Sequence, residues 1–267
     1  DSASVAAAGI TLPSVAPVPI TAFSYLPWGA PIAKSGELFK NRTNGNMAVI
    51  MGAKYYEIDP KTSEDMDFKQ WFIESSGTLR ADSAATINTG IAIQSIVQNA
   101  IGQRFVLTPM GRRAVSADAA LMAQPNLLPD SVLSQIPLLP SDLKLPFLAK
   151  APAGKNTYFV DGQIRRFVPT SAAAVKLSAV AATPEVQEIP ASAIQLIEAG
   201  STIYGPGTVL TDPAGRLLLT DGLSSYKIVA SPAIAAELGL AKPTKATKSD
   251  LLDYTSSGGL GYRVQCG

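Results

Sequence analysis

Apolar and polar residues alternate in four short stretches, and each alternation is interrupted at a glycine. Residues 157–168 read TYFVDGQIRRFV around Asp161-Gly162, and residues 216–229 read RLLLTDGLSSYKIV around Asp221-Gly222. Residues 104–115 read RFVLTPMGRRAV with the looser turn Pro109-Met110-Gly111, and residues 47–58 read MAVIMGAKYYEI around Met51-Gly52. A period of two predicts strands, and a glycine turn between two such runs predicts a hairpin, with Asp-Gly fitting a tight turn that has positive φ at both central residues. Four hairpins are therefore expected, with turns at Gly52, Gly111, Gly162 and Gly222.

A helical pattern follows each hairpin. Thr62–Ile73, Ser116–Ala123, Thr170–Val180 and Ser231–Leu240 are short, three of them rich in alanine, and Ser or Thr stands where an N-cap belongs. A second short helix is expected at Asn88–Ala100, Pro129–Ile136, Pro190–Ala199 and Lys248–Tyr254. The predicted fold class is α+β: tandem small repeats of about 50 to 60 residues, each a β-hairpin followed by two short helices, stacked because one unit cannot bury its own apolar face. The expected divisions are an extended arm at 1–45 and repeats at 46–102 (divergent), 103–155, 156–207 and 208–267. Prolines 13, 17, 19, 27 and 31 exclude long helices from the arm, while Phe23, Tyr25, Leu26 and Trp28 predict that part of it docks.

Composition narrows the chemistry. There is no histidine, so a Ser-His-Asp triad and a His-ligated metal are excluded. The one cysteine, Cys266, forms no internal disulfide and no thiolate cage. Lys and Arg number 22 against 21 Asp and Glu, which argues against nucleic acid as a partner. No window reaches the ~18 apolar residues of a membrane span. No catalytic centre, cofactor or metal is expected.

The unit Tyr158-Phe159-Val160-Asp161-Gly162, Arg165-Arg166, Val168-Pro169-Thr170, then Val186, Ile189-Pro190, Ile194, Ile197 and Gly200, resembles a repeat of actinobacterial exported and envelope proteins. Residues 111–116 (GRRAVS), continued by Leu133-Ser134-Gln135-Ile136-Pro137 and Pro146-Phe147, resemble a repeat of the EccB family, the membrane-anchored periplasmic component of type VII secretion. The resemblance spans about residues 103–255 and implies an extracytoplasmic protein that binds or scaffolds the envelope. The chain departs from EccB in having no apolar anchor and no cysteine pair for the disulfide expected in that family.

Arg112, Arg113, Arg165 and Arg166, with Tyr158, are the candidate ligand residues. Paired guanidinium groups beside a hairpin turn can clamp carboxylates or phosphates of a wall polymer. Neighbours on a strand point to opposite faces, so one arginine of each pair is expected to bridge to an acidic side chain of its own unit rather than to reach a ligand. Glu57, Asp59, Glu64, Asp65 and Asp67 form the densest carboxylate group; it reads as a solvated helix start, with glycosidase chemistry as the alternative. Tyr55, Tyr56, Trp71, Phe72 and Tyr226 divide between core and sugar-stacking roles. Asn41-Arg42-Thr43 matches a glycosylation triplet.

The expected function is a non-enzymatic envelope protein for wall or glycan binding, adhesion or scaffolding. A structural subunit of a larger surface or secretion assembly is the first alternative, and an Asp/Glu-dependent carbohydrate hydrolase is the second. The expected partners are a cell-wall polymer or other envelope proteins, with self-association left open.

Overall fold

The computed structural model describes residues 34–79, 87–116, 121 and 124–260. The arm's apolar residues Phe23, Tyr25, Leu26 and Trp28, and Cys266, lie outside the described residues. The chain divides into two compact units: 1–115 with 124–142, and 116–123 with 143–267.

The first unit holds two sheets. One consists of β1 (Glu37–Asn41), β2 (Met47–Met51), β3 (Lys54–Ile58), β4 (Ile73–Leu79) and β5 (Ile87–Ile93), in the order β4-β1-β2-β3-β5. Strands β1, β2 and β3 form an antiparallel meander, β4 adds parallel to β1, and β5 adds parallel to β3. The other consists of β6 (Ile96–Gln98), β7 (Arg104–Thr108), β8 (Gly111–Ala114) and β9 (Asn126–Leu127), with β9 parallel to β6. A parallel bridge between Arg112 and Leu138 stands where a fifth strand would lie.

The second unit repeats the plan twice. Strands β10 (Phe147–Lys150), β11 (Thr157–Asp161), β12 (Ile164–Val168), β13 (Thr183–Glu188) and β14 (Glu198–Ala199) follow the order β13-β10-β11-β12-β14. Strands β15 (Val209–Thr211), β16 (Leu217–Thr220), β17 (Ser225–Val229), β18 (Thr244–Lys245) and β19 (Thr255–Leu260) follow β18-β15-β16-β17-β19. Parallel neighbours need a crossover. The described helices lie in or beside these crossovers: α1 (Pro60–Asp65), α2 (Asp130–Leu133), α3 (Ser171–Ser178), α4 (Ala191–Leu196) and α5 (Pro232–Glu237).

This corrects the expected fold class. The four hairpins are present at the predicted places, but the architecture is four mixed sheets with a few helices of one or two turns, not α+β repeats of a hairpin and two helices. Asn88–Ala100, expected as a helix, forms strands β5 and β6. Its β-branched Ile91, Ile93, Ile96 and Val97 suit strands, and Gly90, at φ 69°, sits where the β3–β5 register shifts. Lys248–Tyr254 shortens to a 3₁₀ turn at Ser249–Leu251 before β19. The turns also differ from the expected Asp-Gly form. Asp161 pairs with Ile164, so the two-residue loop is Gly162-Gln163, with positive φ at the glycine alone. Thr220 pairs with Tyr226, and a four-residue loop, 221–224, joins β16 and β17.

Each unit buries its own core. In the first, Leu38, Val49, Tyr56, Ile58 and Ile93 of one sheet join Val97, Phe105, Leu107 and Ala114 of the other, with Phe68, Phe72, Val132 and Ile136 from the connections. In the second, Leu148, Phe159 and Val168 pack with Ala173 and Leu177 of α3 and with Ile203. Tyr204, Leu210, Leu218, Ala246 and Tyr254 form the adjoining cluster. Phe159 has no exposed surface; truncating such a ring to alanine costs ~3–5 kcal/mol.

Candidate functional site

The alternation along β12 sends its two arginines to opposite faces. Arg166 pairs across the strands with Phe159 and shares its face, toward the core. It is 7% exposed. Its Nη1 donates to the Leu223 carbonyl at 2.8 Å and to Ser224 Oγ at 3.3 Å. Nη2 donates to Ser201 Oγ and pairs with Asp253, each at 3.3 Å. The guanidinium lies 5.6 Å from the Tyr254 ring centre. Arg166 is thus an internal strut between the third and fourth sheets, and the four-residue loop supplies two of its acceptors. A two-residue Asp-Gly turn would have omitted both.

Around this strut the polar groups are matched. The Ser201 hydroxyl and backbone N–H, and then Arg166, hold the Asp253 carboxyl below the usual range. Tyr254 Oη accepts from the Tyr204 backbone N–H at 2.8 Å. Burial, followed by the nearby Asp250 charge, pushes the Tyr204 phenol up to about 12.

Arg165 and Tyr158 lie on the other face. Arg165 Nε donates to the Ile197 carbonyl at 2.9 Å, and its guanidinium lies 5.3 Å from the Tyr158 ring centre. Tyr158 meets Phe167, its cross-strand partner, edge to face at 6.2 Å. Phe167 is 39% exposed. Tyr158, Arg165 and Phe167 therefore make one aromatic and guanidinium patch on the third sheet. Phe167 was absent from the sequence candidates; its place opposite Tyr158 in the hairpin register is the signal that finds it.

The other basic pair does not complete a clamp. Arg112 pairs with Leu107, on the face that builds the first unit's core, and lies 5.4 Å from the Phe105 ring centre. Its Nε and Nη1 are buried without a hydrogen-bond partner. Burial lowers its pKa, and Asp130 opposes that shift. Arg113 points the other way and donates to the Ser141 carbonyl and hydroxyl. The first and second sheets contribute to one core cluster, whereas the third and fourth have a cluster each, bridged by Arg166. The inward arginine is accordingly the first of one pair and the second of the other.

The carboxylates are largely committed to local structure. Asp59 caps α1 through the Thr62 N–H, and Asp67 caps the 3₁₀ turn at Phe68–Gln70 through the Lys69 N–H. Glu57 accepts from the side-chain amides of Asn41, Asn44 and Asn46. Asn41 is 2% exposed, so the amide of the glycosylation triplet is already occupied and enclosed. Glu64, Asp65 and Asp67 rim a concavity of about 300 Å³ floored by Leu38, Met47, Met66 and Phe68. Among the described residues no three acidic, Cys or His groups are placed to hold a metal. Tyr55, Tyr56 and Phe72 are core, while Trp71 and Tyr226 are half-buried against it.

No protein-family model matches the chain, and no curated protein does. Among solved structures it is similar to a chain of the periplasmic assembly from the ESX-5 inner membrane complex. The identity there is 13% and the TM-score 0.19, over 85% of this chain and 67% of that one. A chain of an intact ESX-5 inner membrane complex gives 12% identity and a TM-score of 0.18, over 84% and 57%. Likenesses this weak place no residue and assign no partner. Among the described residues no helix is long and apolar enough to cross a membrane.

Proposed function

We propose that this chain is a non-catalytic structural subunit of the bacterial envelope, extracytoplasmic, whose repeated sheets hold a contact surface for other envelope proteins. The observation that carries this reading is the internal position of Arg166 in the strand that presents Phe167. The charge suited to an anionic polymer joins two sheets, and what remains on the other face is exposed Phe167 beside half-buried Tyr158 and Arg165. Aromatic residues and arginine are the side chains enriched at the centres of protein interfaces. The engagement of Glu57, Asp59 and Asp67 in caps and loop anchoring supports the non-catalytic part.

The test is a photo-crosslinking residue at position 167, with an exposed control at position 175, in the full chain exposed to bacterial envelope fractions. Protein adducts specific to position 167, lost in Arg165→Ala, are expected, together with no retention on purified cell wall at low or moderate salt. Retention on purified wall that Phe167→Ala abolishes would replace this reading with glycan binding.

A further inference from the structure

The first sheet is buried on both faces, and the described residues account for one of them. Alternation along β1, β2 and β3 sends Leu38, Val49, Tyr56 and Ile58 into the core of the first unit. Phe39, Ala48, Ile50 and Tyr55 point the other way and form a separate cluster. Ala48, Ile50 and Tyr55 have no exposed surface, and Phe39 keeps 8%. No described side chain from outside these three strands joins that cluster. Neighbours on one sheet face shield each other's flanks and leave the tops open. Phe39 can lean over the smaller Ala48, but nothing in the sheet lies over the ring of Tyr55. Burial this complete requires a layer of chain above the four side chains.

The first unit has two stretches besides its described residues, 1–33 and 80–86. Residues 80–86 read RADSAAT, and their apolar groups are single methyls. These are too small to fill a layer over Phe39 and Tyr55. Residues 1–33 carry Phe23, Tyr25, Leu26 and Trp28, and their one charged side chain is Asp1. Their junction with the sheet lies at the cluster. The Gly36 N–H donates to the Ile50 carbonyl at 2.7 Å, and Ser35 Oγ accepts from the Gly52 N–H at 2.5 Å. The chain therefore enters β1 beside the Ile50–Tyr55 pair of the β2–β3 hairpin. From Trp28 to Lys34 an extended chain reaches about 20 Å, and the three strands together are about 10 Å across. The aromatic stretch is long enough to reach all four side chains.

We propose that the outer face of the first sheet is the docking surface for the chain's own N-terminal arm, with Phe23, Tyr25, Leu26 and Trp28 capping the cluster of Phe39, Ala48, Ile50 and Tyr55. The end member of a tandem array needs such a cap, because one of its apolar faces has no further repeat to cover it. Pro27 and Pro31 suit the role. Each favours an extended path and brings no backbone N–H that burial would leave unpaired. This inference stands independently of the envelope reading.

Trp28 is the reporter that tests this. In the full chain carrying Trp71→Phe it is the sole tryptophan. The expected result is a blue-shifted emission and acrylamide quenching several-fold weaker than in urea. A photo-crosslinking residue at position 28 of the otherwise native chain should form adducts with residues 37–58 of the same molecule. Leu26→Ser combined with Trp28→Ser leaves every residue of the sheet in place and should raise the binding of a hydrophobic dye several-fold. Trp28 quenched as readily in the native chain as in urea, adducts confined to residues outside 37–58 or to a second molecule, or unchanged dye binding would overturn the proposal.

Discussion

Arg166 gives the sharpest distinction between an architectural and a ligand-binding arginine. Replacing it with alanine removes the donors to Leu223, Ser224 and Ser201 and the partner of Asp253. Hydrogen bonds from a charged group contribute ~1.5–3 kcal/mol each and do not add. The Asp253 side chain is 46% exposed and regains water once its partner is gone, which discounts the ion pair. The net loss is therefore about 3 kcal/mol, at the lower end of the range for breaking a buried pair. Arg166→Met keeps the aliphatic stem beside Gly200 and recovers about 1 kcal/mol of it. For a unit of this size the alanine variant melts roughly 10 °C lower. Calorimetry with urea titration measures the loss, and fluorescence assigns it, because the second unit contains no tryptophan. The transition seen by circular dichroism should shift while the tryptophan transition holds. A loss under about 1 kcal/mol, or an equal shift in the tryptophan signal, would refute the strut.

In the first unit, Gly111→Ala sets a Cβ against the Pro137 carbonyl oxygen at a residue with φ of 144°; a loss of ~2–3 kcal/mol is expected, visible in the tryptophan transition because Trp71 packs on that core. Phe167→Ser, on an exposed sheet face, should change stability by less than about 1 kcal/mol in urea titration, although it removes the edge of the patch. The melting temperature should be nearly flat from about pH 5 to pH 9, because the chain has no histidine to titrate there. Asp253, with its lowered pKa, contributes fully above about pH 4, and the contribution disappears as pH falls through that lowered value. Tyr204 contributes fully below about pH 10, and its stabilisation is lost as pH climbs toward its own value of about 12. A melting temperature that moves by more than about 5 °C between pH 5.5 and pH 8 would contradict this assignment.

Hairpin positions were legible in the residues because strand alternation and turn chemistry are local. Gly52 and Gly162 adopt the positive φ that a short loop requires. Thr170 and Ser231 cap α3 and α5 through the N–H three residues on, as their place before each alanine-rich run implies. The first strand of each meander and the flanking parallel strands were not legible. Strands such as β14 and β18 are two residues long, too short for any period to register, and exist only because a distant strand offers them a ladder. The arginine pairs show the same division. Alternation says that Arg165 and Arg166 face opposite ways, as do Arg112 and Arg113, and sequence reasoning goes no further. Which member turns inward depends on which neighbouring sheet closes the core. That choice rests on contacts between residues far apart in the chain, such as Arg166 with Leu223 and Asp253, which local pattern does not encode.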